Sequence, residues 1–234
     1  MKNCILFLLS VAIGASALAQ TSDTLNLNGT WQFEQTEKAI PPLKFTRHIP
    51  VPGLIHMAVP KIDQFNILFR KPDKVVFSEQ HNLEDQQYKP RYNWYYKKIK
   101  ISNSLKEKNA VLTIMKSMFV TRVFINGMDV GSSMECFTPI EFPIAKFLKF
   151  GQENEILIQV GDRAWLPSEA AGGTDKEKIN YLPGIWDNVF IAFSGKFAVH
   201  KMLLLPSLKD KKVIAKLQIR SFYPPQLLFG TSIF

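Results

Sequence analysis

Two tryptophans, Trp94 and Trp165, stand at expected loop–strand junctions close to Arg91, Asp162, Asp187 and Asn188. Aromatic rings beside amides, carboxylates and a guanidinium point to one kind of chemistry. A pyranose ring offers apolar C–H faces that lie against an indole or phenol. Its hydroxyls bond to Asn, Asp and Arg side chains. The same stretches carry Asn93, Tyr95, Arg163, Tyr181 and Trp186. Trp31, Tyr95 and Trp186 fall in strand-like runs, where a core role comes first. Trp94, Trp165, Arg91, Asp162, Asp187 and Asn188 are therefore the candidate carbohydrate contacts.

Other chemistries find less support. His81, Glu84 and Asp85 form a polar run without metal-ligand spacing. His48, His56 and His200 have no paired nucleophile, and no serine sits in a nucleophile elbow. Asp162, Asp175 and Glu177 share a loop, where solvated acids are the ordinary case. No metal and no cofactor are expected.

The elements that must position these residues are strands. In Phe119–Gly131, Phe119, Val123 and Ile125 fall on one parity and Val120 and Phe124 on the other. That density predicts a strand covered on both faces. Asn126-Gly127 supplies a type I′ turn, and Met128 and Val130 begin the return strand. Trp31 and Phe33 share a face of another strand, and Ile156, Ile158 and Val160 alternate in a third. Further strands are expected at Trp94–Ile101, Ala110–Met115 and Val189–Phe193. Ile49–Gly53 is too proline-rich for anything but an edge or loop. Asp63–Pro90 and Ala164–Leu182 are long loops, the first with one short strand at Lys74–Phe77. Short strands joined by turns, with no helical segments between them, predict a sandwich.

At 234 residues the chain can bury roughly 70% of its unfolded surface. Its 46% apolar and 12% aromatic content is that of a globular protein. The net charge of +9 is concentrated late: Lys196–Arg220 holds seven basic residues and one acid. No nucleic-acid module accompanies that excess, so a nucleic-acid partner is excluded. Met1-Lys2-Asn3, an apolar Cys4–Ile13 and Ala17-Leu18-Ala19 form an export signal cleaved between Ala19 and Gln20. The apolar run is too short for a membrane span. Export to the periplasm or the exterior follows, with Cys136 the one cysteine of the mature chain.

From Leu25 to Phe193 the order of motifs resembles the N-terminal sugar-binding-type domain of glycoside hydrolase family 2, which includes β-galactosidases and β-glucuronidases. The matching pieces are Leu27-Asn28-Gly29-Thr30-Trp31-Gln32-Phe33, Val51-Pro52-Gly53, Trp94-Tyr95-Tyr96-Lys97-Lys98, Phe124-Ile125-Asn126-Gly127 with Val130-Gly131, Phe137-Thr138-Pro139, Gly151-Gln152-Glu153-Asn154 and Gly184-Ile185-Trp186. The resemblance implies a jelly-roll sandwich followed by an immunoglobulin-like domain and a (β/α)₈ barrel that carries two catalytic glutamates. Many members have Arg after the Gly-Ile-aromatic triplet, and some galactosidase-type members then have an Asp at the sugar site. This chain has Asp187 and Asn188 there. Asn154-Glu155 resembles the family's acid dipeptide, but it enters a strand from a turn and is expected to be a solvated strand end. Hydrolysis would need two carboxyls about 5–5.5 Å apart for retention, or about 6.5–9.5 Å for inversion.

The expected architecture is all-β. A signal at 1–19 precedes a galactose-binding-like jelly roll over 20–196. Two strands of an incomplete immunoglobulin-like sandwich follow over 197–220, and then an irregular tail over 221–234. The expected role is a non-catalytic carbohydrate-binding or support domain of an exported family 2-type hydrolase, inactive alone, with the chain ending before the barrel. Its partners are then a β-glycoside or polysaccharide and its own later domains. A free-standing secreted carbohydrate-binding module or a structural interaction domain is the alternative.

Overall fold

The computed structural model describes residues 23–62, 91–161, 165–167 and 182–220, and the backbone of 221–222 and 225–233. The expected strand at Lys74–Phe77, Asp162, and the bulk of the loop before Leu182 lie outside them. The chain divides into two compact units, one over Thr24–Lys106 and Ala110–Ala192 and the other gathering Glu107–Asn109 and Phe193–Phe234.

The larger unit is a β-sandwich. One sheet holds six strands: β1 is Asp23–Asn26 and lies elsewhere, whereas β2 (Gly29–Thr36), β3 (Arg47–Val51), β5 (Tyr92–Lys100), β8 (Thr121–Ile125), β9 (Met128–Ser133) and β11 (Glu153–Val160) belong to it. Their order is β3-β2-β5-β11-β8-β9. The second sheet joins β1 with β6 (Asn109–Ile114), β10 (Ile140–Pro143) and β13 (Val189–Ser194), in the order β1-β13-β6-β10. Three two-residue strands, β4 (Gly53–Leu54), β7 (Ser117–Met118) and β12 (Gly184–Ile185), form a small bridge in the order β4-β12-β7. The remaining regular pieces are single 3₁₀ turns, including Ile55–Met57 and Ala145–Phe147.

The core follows from alternation. Asn154, Ile156, Ile158 and Val160 of β11 are buried, as are Trp31 and Phe33 of β2 and Thr121, Val123 and Ile125 of β8. The buried indole N–H of Trp31 donates to the carbonyl of Leu27 at 2.9 Å, so its polar atom keeps a partner. Phe33 meets Tyr95 edge-on, with ring centroids 5.1 Å apart. Burial pushes the Tyr95 hydroxyl far above its ordinary pKa. β3, with Pro50, is an edge strand, where a proline is tolerated.

The turn at Asn126-Gly127 has both residues at positive φ, +52° and +79°, which is the type I′ geometry. Asn126 is held there by its amide, which donates to the Phe147 carbonyl at 2.8 Å and to Asn154 Oδ1 at 2.9 Å. The expected two-faced strand is corrected in its position. In β8, Arg122 is exposed and Phe124 half-buried, because the outer face of the six-stranded sheet stays open there, as it does at Glu153 and Glu155 of β11. Among the described strands longer than two residues, the one buried at every residue is β6, which lies between β13 and β10 in the second sheet.

In the smaller unit, β14 (Phe197–Ser207), β15 (Lys212–Phe222) and β16 (Pro225–Ile233) form an antiparallel meander. An irregular tail over 221–234 is thereby corrected: β16 pairs β15 from Phe222↔Pro225 to Ile214↔Ile233. Pro225 is the first residue of an outer strand, a position where its missing N–H costs no ladder bond. The register Met202↔Leu217 and Leu204↔Ala215 gathers apolar side chains on one face. The pairs Lys201↔Gln218 and Leu203↔Lys216 lie on the other.

Candidate functional site

The bridge sheet gives rise to the site. β12 pairs β7 through Gly184↔Met118 and Ile185↔Ser117, so the residues just outside each strand also meet. The Trp186 N–H donates to the Lys116 carbonyl at 3.2 Å. Only glycine fits at 184, because a Cβ there would stand 2.6 Å from the Gly53 carbonyl oxygen and 2.8 Å from the Leu54 Cα. This close approach lets β12 lie between β4 and β7 and fixes where Trp186 emerges.

Around Trp186 the side chains form a layered corner. Lys116 Nζ lies 5.0 Å from the centroid of the indole, within cation–π range. Phe137 meets the same ring edge-on at 5.9 Å, and it is itself 45% exposed. Beneath them Met118, Phe119 and Cys136 form a buried cluster against which Val120, Leu166 and Trp186 pack. Val120 adopts φ +51°, unusual for a β-branched residue. Burial, and secondarily the Glu135 charge, push the Cys136 thiol up, so it is a poor nucleophile.

Trp165 carries the aromatic surface onward. It stacks on Tyr92 at 4.8 Å with planes 6° apart, and it is 37% exposed. Its Cδ1 lies 2.9 Å from where a Cβ on Gly161 would be, so glycine at 161 makes room for the indole. Arg91, the neighbour of Tyr92, pairs with Glu37 at 2.8 Å.

The polar groups sit on the other side of Trp186. Asp187 Oδ2 lies 3.0 Å from Lys116 Nζ. The Asn188 N–H and then Lys116 hold the Asp187 carboxyl below its ordinary range, which keeps it an acceptor. Asn188 is exposed, and its Oδ1 accepts from Asn28 Nδ2 at 2.6 Å. Asn28 Oδ1 in turn accepts from the Val189 N–H at 2.9 Å, and the Asn188 carbonyl accepts from the Met115 N–H at 2.9 Å. These bonds orient the Asn188 amide.

Of the sequence candidates, Trp165, Asp187 and Asn188 lie along this corner, and Arg91 adjoins it through Tyr92. Trp94 does not belong to it and is corrected to a core residue. Its strand begins at Tyr92, earlier than the junction the sequence suggests, and lies between β2 and β11. Trp94 is fully buried and donates its indole N–H to Thr36 Oγ1 at 2.8 Å. Lys116, Phe137, Tyr92 and Asn28 are the additions. Only Asn28 had a local signal, its place in the Leu-Asn-Gly-Thr-Trp turn; the others depend on the pairing of β7 with β12 and on the Tyr92 stack.

Glu155 lies on the outer face of the six-stranded sheet. It accepts from the Tyr96 hydroxyl at 2.8 Å and, with Glu153, flanks Lys98 at 3.7 and 2.9 Å. Burial and then the Glu155 carboxylate push the Tyr96 hydroxyl up to about 12. That surface network engages Glu155 as a strand-face charge.

A model of the glycosyl hydrolase 2 galactose-binding domain-like family matches residues 31–184. A β-galactosidase of Thermoanaerobacter pseudethanolicus is 32% identical over 84 residues, 36% of this chain and 11% of that protein. A β-galactosidase of Clostridium acetobutylicum is 24% identical over 206 residues, 82% of this chain and 22% of that protein. The chain thus spans between about a tenth and a fifth of the length of these curated relatives. Among solved structures, a Bacteroides uniformis β-glucuronidase superposes with a TM-score of 0.64 at 16% identity, over 92% of this chain and 26% of that one. At that identity the superposition establishes the fold alone. The family match covers well over half of the sequence, and the chain belongs to the glycosyl hydrolase 2 galactose-binding domain-like family.

Proposed function

We propose that this chain is the non-catalytic, carbohydrate-contacting domain of an exported family 2-type glycoside hydrolase. In this reading residues 1–19 direct export and 20–196 form the sugar-contacting sandwich. The strands from 197 onward open an immunoglobulin-like domain of the same enzyme, and glycosidic cleavage belongs to a barrel domain. The relatives named as β-galactosidases support the enzyme class; they do not single out a galactoside for this chain, and the Asp187-Asn188 pair departs from the galactosidase pattern.

The observation that carries the reading is the corner itself. Trp186 packs on the buried cluster with Phe137 edge-on to its ring, and Trp165 stacks on Tyr92 where Gly161 passes Phe119 and Val120. An oriented amide at Asn188 and an ionised carboxylate at Asp187 stand beside Trp186. Rings take the apolar face of a sugar, and the amide and carboxylate take its hydroxyls. Asp187 and Arg91 are engaged in ion pairs, so they would serve as fixed acceptor and donor rather than as reacting groups.

The test is affinity electrophoresis of the mature chain through neutral β-glycans. Trp165→Ala and Trp186→Ala should each weaken retardation by about tenfold, the order of one lost stacking contact. The chain should not cleave aryl β-glycosides. Retardation that survives both substitutions, or turnover that copurifies with the chain and disappears in Glu155→Gln, would overturn the reading.

A further inference from the structure

We propose that the mixed face of the β14–β15 ladder is a second glycan site, one that takes an acidic polysaccharide. It rests on the carbohydrate reading only for the class of polymer; the site itself belongs to the smaller unit and shares no residue with the aromatic corner.

The register builds the site. Lys201 pairs with Gln218 and Leu203 with Lys216, so these four side chains share one face of the ladder. The two lysines stand on the diagonal of that quartet, roughly 7–8 Å apart at the backbone. Both are exposed, and neither is in an ion pair with a described residue. A cavity of about 440 Å³ opens here, lined by Lys201, Leu203, Lys216 and Gln218 together with Met202 and Leu217. Arg220, two residues beyond Gln218, extends the positive row and lies 3.1 Å from His200 Nδ1. Lys212, at the other end, is 3.4 Å from Asp210 Oδ2.

The chemistry of this quartet selects the ligand. Two unpaired ammonium groups on one face attract fixed negative charge, and like charges so close cost less when an anion lies between them. Gln218 adds both a donor and an acceptor suited to hydroxyls. Leu203 supplies an apolar floor for a sugar ring. A carboxylate-bearing glycan matches all three features at once.

A lipid surface matches them less well. Interfacial binding scales with the apolar area that enters the headgroup boundary, and in the quartet that faces a ligand here Leu203 is the one apolar side chain. Here the all-apolar set, Met202, Leu204, Val213, Ala215 and Leu217, lies on the opposite face by register. The cationic side is a depression, which holds a chain rather than entering a bilayer.

The test uses the mature chain with three probes: polygalacturonate, a neutral galactan, and vesicles of phosphatidylglycerol with phosphatidylcholine. Lys201→Gln/Lys216→Gln is compared with Lys106→Gln/Lys146→Gln, which removes the same net charge from exposed positions of the sandwich. We expect polygalacturonate to retard the wild type and the Lys106/Lys146 variant alike, and the Lys201/Lys216 variant about tenfold less well. Equal binding by all three proteins would overturn the site, as would vesicle binding without polygalacturonate binding. Loss of galactan binding in Trp165→Ala, with polygalacturonate binding unchanged, would support two separate sites. Polygalacturonate binding in the absence of any neutral-glycan binding would sink the aromatic-corner reading and leave this one standing.

Discussion

In β11, Ile156, Ile158 and Val160 are fully buried; in β14, Met202, Leu203, Leu204 and Leu205 are all exposed. Both segments have strand chemistry and both sit in antiparallel ladders. What differs is the second layer. β11 lies in the middle of a six-stranded sheet whose inner face forms part of the core, so alternation becomes burial. The meander of β14–β16 has its own hydrogen bonds, and among its described side chains Ala215 alone reaches core burial. Backbone pairing therefore forms a sheet without making a core, and a sheet's apolar face stabilises only when something covers it.

The contrast is broken most directly by truncation. Phe33→Ala in the sandwich should cost about 3–5 kcal/mol, because it removes a fully buried ring and leaves a cavity. Met202→Ala and Leu204→Ala in the meander should each fall within about 0.5 kcal/mol. Urea unfolding of the three variants decides the matter. A loss above about 2 kcal/mol for Leu204→Ala would mean that its face is covered in solution.

A buried polar residue sharpens the same comparison. Asn154 is fully buried at the start of β11. Its Oδ1 accepts from the Lys149 N–H at 2.7 Å and from Asn126 at 2.9 Å, while its Nδ2 donates to the Lys149 and Gln152 carbonyls at 2.8 and 3.1 Å. Asn154→Ala strands those backbone groups, and should cost about 2–3 kcal/mol. Gln218→Ala, on the exposed ladder of the meander, should cost less than about 0.5 kcal/mol. If the two variants melt at the same temperature, the Asn154 network contributes nothing beyond its neighbours' contacts with water.

Much of the sandwich was legible because its signals are local. The Asn126-Gly127 turn needs only its own two residues, and the alternation of Ile156, Ile158 and Val160 needs only a strand. The centrality of β6 was not legible, since it comes from strands β13 and β10 that are distant in sequence. The tail misled for a physical reason: Pro224-Pro225 interrupts strand alternation, yet an outer strand accepts a proline as its first residue. At the site, Trp186, Asp187 and Asn188 were visible as a motif, but not the Lys116 that lies over one and pairs with the next. That contact depends on two-residue strands whose pairing leaves no periodic trace. Trp94 shows the converse error, where a shift of two residues at a strand start turned a core indole into an apparent surface one.

The smallest effect separates the units by pH. Glu34 is in β2, and its carboxylate accepts from the Thr46 N–H and the Gln35 N–H, both at 3.1 Å, from the Thr46 hydroxyl, and from Arg47. Burial acts to raise its pKa, but the Thr46 hydroxyl, the Gln35 N–H and Arg47 outweigh it, and the folded value lies below the ordinary 4.5. A carboxyl depressed by folding contributes stability that is fully present above its unfolded pKa and is lost as pH falls through the folded one. Glu34→Gln should therefore cost about 1 kcal/mol at neutral pH, as a hydrogen-bonded surface-proximal charge does. The gap between wild type and variant should narrow as pH drops below 4.5. Asp210→Asn in the meander, whose carboxyl meets Ser207 and Lys212, should change stability at pH 7 by less than about 0.5 kcal/mol. Urea midpoints of wild type and Glu34→Gln between pH 7 and pH 3, and of Asp210→Asn at pH 7, give the answer. A Glu34 gap that stays constant across that range would show that the carboxylate is not what holds Thr46 and Arg47 to the sheet.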